Sequence, residues 1–116
     1  MSVKIDISYG ELIDKITILE IKSAKITDEA KLKNVRLELA VLSRVRDEDL
    51  ASTAELTRFA SELKAINEAL WVIEDDIRIC EKNKDFGERF VELARSVYVT
   101  NDQRAARKKD INTLSG

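Results

Sequence analysis

From Leu56 onward the apolar positions run Leu56, Phe59, Leu63, Ile66, Leu70, Ile73, Ile77, Cys80, at steps that alternate three and four. A repeat of 3.5 residues keeps one face of a helix against a partner helix along its whole length. The stripe therefore predicts one long helix over 53–82, roughly 45 Å at 1.5 Å per residue. Leu32, Val35, Leu39 and Leu42 keep the same spacing and predict a helix over 28–46. Leu12, Ile13, Ile16, Ile18, Leu19 and Ile21 predict another over 9–25, and Phe86, Phe90, Leu93, Val97 and Ile111 one over 86–113. Val3, Ile5 and Ile7 alternate at period two, which reads as an extended arm over 1–8.

The joints are marked by caps. Ser8 with Glu11 and Ser52 with Glu55 are capping boxes, Thr27 or Asp28 can open the second helix, and Asp85 with Glu88 the fourth. Asp47, Glu48 and Asp49 form an acidic joint, since a helix C-terminus disfavours negative charge. Thr100 with Gln103 would permit a break near 99–101. Short turns between long helices imply antiparallel neighbours. The expectation is one all-α domain over 1–116, two helical hairpins stacked as a four-helix bundle with coiled-coil-like packing.

Composition agrees. The chain has no proline and only three glycines, Gly10, Gly87 and Gly116, and Leu, Ile, Ala, Glu, Lys and Arg dominate. There is also more apolar surface than one seam needs. Ala69 to Ile73 are five apolar residues in a row; Trp71, Val72 and Ile79 lie off the stripe, as Ile18 and Ile21 do in the first helix. A helix apolar all round must be covered all round, and that surplus predicts a homodimer.

The fourth helix breaks its pattern. Extending Phe86, Phe90, Leu93, Val97 reaches Thr100, Arg104 and Arg107 before Ile111, and Tyr98, Asn101, Arg104 and Lys108 gather on or beside one face. An antiparallel hairpin turning near residue 84 sets positions near 100 opposite Asn67, Glu68, Trp71, Glu74 and Asp75. These nine residues are the candidate site. It reads either as an ion-pair network that fixes helix register or as a pocket for a small charged ligand, rimmed by Trp71 and Tyr98. Asp14, alone among apolar neighbours, reads as a solvent-edge residue or as the partner of Lys15, Lys22 or the fourth helix.

Charge and chemistry narrow the function. Twenty basic against twenty-two acidic residues, net −2 and interspersed, argue against nucleic-acid binding. No stretch approaches the roughly 20 apolar residues of a membrane span, and no leader precedes the first helix, so the expected location is the cytoplasm. Histidine is absent, the single Cys80 sits in the seam as a small hydrophobe, and no phosphate-cradling glycine loop occurs. No catalytic residue, metal site or cofactor is assigned. Glu74-Asp75-Asp76 could hold magnesium. Glu11-x-x-Asp14 and Asp85-x-x-Glu88 match the metal motif of all-α nucleotide pyrophosphohydrolases only loosely. A chorismate-mutase-like bundle would need an order of basic residues that Lys15, Lys22 and Lys25 do not supply.

Three segments, GELIDKITILEIK over 10–22, NEALWVIEDDIR over 67–78 and DFGERFVELAR over 85–95, resemble a small bacterial family of unknown function, as does the stretch Tyr98 to Asn112. The resemblance spans nearly the whole chain and implies no activity and no catalytic residue. Similar sequences beside or fused to sugar-transfer and helical-repeat proteins make such proteins the partners it implies. Taken together, these features predict a non-catalytic helical interaction or assembly module that self-associates. The alternative is a phosphosugar- or nucleotide-binding protein, or an all-α enzyme, using the polar patch.

Overall fold

The computed structural model describes residues 2–115; Met1 and Gly116, the ends of the domain expected from the sequence, lie outside the described residues. Among the described residues there are four helices and no strand: α1 (Tyr9–Lys25), α2 (Glu29–Asp49), α3 (Ala54–Lys82) and α4 (Glu88–Leu114). None of these helices is long and apolar enough to cross a membrane. The fold is all-α, built by helix-on-helix packing.

Local chemistry sets the ends. Ser8 Oγ accepts from the Glu11 amide at 3.2 Å, and Asp28 Oδ1 from the Lys31 amide at 3.1 Å. At α3 the cap is Thr53, whose hydroxyl accepts from the Leu56 amide at 3.1 Å, rather than Ser52. At α4 the cap is Gly87 with no side-chain bond; Asp85 instead accepts from the Gly87 amide at 3.3 Å, and Phe86 stays outside the helix. α2 continues through Asp47, Glu48 and Asp49, and α4 runs unbroken past Val99–Asn101. The α3–α4 turn is a Schellman motif. The Asp85 amide donates to Cys80 O at 2.8 Å and the Lys84 amide to Glu81 O at 3.1 Å, with Lys84 in the left-handed region at φ 54°.

The packing centre is α1, not the longer α3. α1 packs against all three other helices, α3 packs along α4, and α2 runs against α1 without a comparable seam to α3 or α4. The core joins Leu12, Ile13 and Ile16 of α1 to Leu56 and Leu63 of α3 and Ile111 of α4, with Leu39 and Leu42 of α2 against its edge. Ile21, part of the apolar surplus of the first helix, is therefore buried within the single chain. Val72 and Ile79 on the outside of α3 are not.

Gly10 lets α1 come this close to α4. A Cβ built there would collide with the Lys108 carbonyl oxygen and lie 2.9 Å from Asn112 Oδ1, which already accepts from the Gly10 amide at 2.7 Å. The first and last of the four helices are joined at that point.

Candidate functional site

One polar cluster is buried in this core. Asp14 and Thr17, three residues apart on α1, face the cleft between α3 and α4 and are both buried. Asn67 of α3 donates its amide to Asp14 Oδ1 at 2.9 Å and reaches Thr17 Oγ1 at 2.9 Å; Thr17 in turn donates to the Asp14 carbonyl at 2.8 Å. Arg104 of α4 closes the cluster. Its Nε donates to Asp14 Oδ1 at 2.9 Å and its Nη2 to Asp14 Oδ2, a bidentate pair. One turn further, Lys108 Nζ lies 2.5 Å from Glu11 Oε2 and 3.8 Å from Asp14 Oδ2. Two carboxylates thus meet two cations.

Asp14 is 1% exposed and Arg104 29%. Burial pushes the Asp14 carboxyl up, but the hydrogen bonds from Arg104 and Asn67 and the charges of Arg104 and Lys108 outweigh it and hold the group below the usual carboxylate range. The hydrogen bond to Asp14 raises Arg104 further above its already high value, against the opposing effect of its burial. Among the described residues no buried side-chain nitrogen or oxygen lacks a partner. Asp14 Oδ1 accepts from Asn67 and from Arg104 Nε, and Oδ2 from Arg104 Nη2, so the ionised aspartate ties α1 to both α3 and α4. The cluster can hold three helices in register.

Five of the nine sequence candidates come together here. Asn67, Arg104 and Lys108 are in the cluster, and Trp71 and Glu74 flank a small cavity of about 160 Å³ beside it, with Lys22 of α1 opposite. The other four do not. Tyr98 is 70% exposed, Glu68 and Asn101 are exposed, and Asp75 is spent on Arg78 at 2.8 Å. The expected rim of Trp71 and Tyr98 is therefore not formed. The carboxylate that meets Arg104 comes from α1 rather than α3, because α1 fills the cleft toward which α4 turns its polar face. Sequence reasoning passed over Thr17 and Asn112, and read Glu11 as a cap and a loose metal-motif match rather than as the partner of Lys108. Asp14 was visible as a charge inside an apolar run; its solvent-edge reading is overturned by its burial, and of the partners offered for it the fourth helix is the one it meets, through Arg104 and Lys108.

The α3–α4 hairpin is antiparallel in the expected register. Arg107 Nη1 meets Glu62 Oε2 at 3.0 Å, and Arg89 Nη2 lies 3.7 Å from Asp76 Oδ2 at the other end. A larger cavity, about 380 Å³, lies between α1, the α2–α3 joint and α3. Its floor is Ile13, Ile16 and Leu56, its rim includes Arg46, Asp47 and Lys64, and no sequence candidate lines it.

No curated protein and no solved structure matches this chain. A match does come from one family, described as a family of unknown function (DUF6165), and because it covers residues 3–115 the chain belongs to that family.

Proposed function

We propose that the protein is a non-catalytic helical interaction module that associates with copies of itself, and that the Asp14 cluster serves to fix helix register. The observation that carries this reading is the apolar surface left at helical spacing on outer faces, Leu37 and Val41 on α2 and Val72 and Ile79 on α3, all exposed in the single chain. The closed state of the cluster supports it too. Arg104, the cation best placed for an anionic ligand, is engaged along its Nε–Nη2 edge by Asp14, and Lys108 by Glu11. The test is sedimentation velocity across a wide concentration range. A mass that climbs from monomer toward dimer is expected; a constant monomer mass would end the reading.

A second reading rests on the cavity at Lys22, Trp71 and Glu74. At about 160 Å³ it is smaller than the roughly 300 Å³ at which ordinary small-molecule sites begin, so a phosphosugar or nucleotide would be held only in part. A thermal-shift panel of sugar phosphates, nucleotides and divalent metals should be flat. A reproducible shift that Lys22→Met abolishes would favour this second reading over the first.

A further inference from the structure

We infer that α2 is the self-association helix, packing antiparallel against α2 of a second copy with Leu37, Val41 and Val45 in the seam. The inference rests on the self-association reading above and names its surface.

α2 is apolar on two opposite sides. Leu32, Val35, Leu39 and Leu42 form the half-buried side turned toward α1. Leu37, Val41 and Val45 follow one another at steps of four on the other side, 66%, 55% and 37% exposed. Side chains four apart stand one above the next on a helix, so the three make one continuous stripe. A helix with two apolar faces needs two partners, and among the described residues α1 is the one helix packed against it.

The charges of α2 say which partner fits. Lys31 and Lys33 lie near its start, after Glu29 in the first turn, and Asp47, Glu48 and Asp49 lie at its end, after Arg46. Within the chain only Asp47 is answered, by Arg46 at 3.0 Å. Among the described residues Lys31, Lys33, Glu48 and Asp49 have no ion pair. An antiparallel copy sets the lysines of one helix beside the acids of the other, at both ends at once; a parallel copy would set like on like. The spacing suits this. Lys33 and Asp47 are about four turns apart and Lys31 and Asp49 about five, so each lysine shares a flank of the stripe with the acid whose counterpart it would meet. On the outer face of α3, Asp75 and Asp76 are already met by Arg78 and Arg89.

The experiment is sedimentation velocity on the full chain and four variants, with circular dichroism confirming helicity for each. Val41→Asp should remain monomeric at concentrations where the parent dimerises. Lys31→Glu/Lys33→Glu and Asp47→Lys/Asp49→Lys should each weaken the dimer by about tenfold or more, most at low salt. An equimolar mixture of these two, or the chain carrying all four reversals, should regain parent affinity. A parent that dimerises while these variants keep its dissociation constant would overturn the α2 seam and leave self-association standing. A parent that stays monomeric throughout would overturn both.

Discussion

Arg104 and Asp14 stand ninety positions apart in the chain, yet the guanidinium grips both oxygens of a carboxylate that water does not reach. The pair joins the second-longest helix to the most buried one. Removing one member leaves the other charged and uncompensated in the interior, which typically costs several kcal/mol, whereas replacing both with apolar groups is often neutral. Arg104→Met should lower unfolding stability by about 3–5 kcal/mol. Asp14→Leu should cost somewhat less, about 2–3 kcal/mol, since Arg104 keeps some contact with water. Urea titration of the two single variants and the double variant checks this. A double variant as unstable as the sum of the singles would show that the pair is not coupled.

The pH response follows from the same carboxylate. Its folded-state pKa lies below the unfolded value, so folding favours the ionised form. The stability it contributes is fully present above the unfolded pKa of about 4 and is lost as pH falls through the lower, folded value. Asp14→Asn should therefore show a shallower loss of stability below about pH 4 than the parent, with parallel curves at neutral pH. Equal acid slopes in the two proteins would contradict the assignment.

Gly10 is a packing requirement rather than a hinge. With any side chain, α1 must retreat from the Lys108 carbonyl or give up the bond to Asn112. Gly10→Ala should destabilise by about 1–3 kcal/mol despite the better helix propensity of alanine. Asn112→Ala removes only the hydrogen bond and should cost about 0.5–1.5 kcal/mol. Thermal melts rank the two; a Gly10→Ala protein that melts at or above the parent would refute the close approach.

Lys84 is the converse case. It holds the left-handed corner of the Schellman turn, a position where a Cβ is penalised. Lys84→Gly should raise stability by about 0.5–1 kcal/mol, the relief of strain exceeding the added freedom of the unfolded chain. Equilibrium unfolding that shows a loss would mean the lysine side chain makes a contact worth more than the strain.

Four helices and their order were legible because glycine and proline are scarce and the apolar spacing is regular from Leu12 to Val97. The register of the α3–α4 hairpin was legible too, since the Asn83–Asp85 turn fixes which positions face each other. What the spacing hid was the third dimension. The long stripe of α3 predicted a helix packed along its length, but not that the shorter α1 would be the helix packed against all three others. Periodicity reports which face of a helix is apolar but not which neighbour covers it, so Arg104 was matched with the carboxylates of α3 when its partner stood on α1. Asp14 carried the signal: a single charge with Leu12, Ile13 and Ile16 about it is expensive to bury unless something reaches it. The second apolar stripe of α2, Leu37, Val41 and Val45, was overlooked beside the stronger one that packs on α1.

The bond from the Gly10 amide to Asn112 has a bearing on how the protein is made. Ile111, fully enclosed in the core, and Arg104 lie on α4, the last of these four helices in chain order. During translation α1 must wait, its α4-facing side bare and Asp14 without Arg104, until α4 has left the ribosome. The long-range contacts that close the core then form together, late, and with a large loop to close. A stalled or truncated product would therefore be not a smaller stable protein but a chain with an uncovered first helix, a natural target for chaperones and proteases.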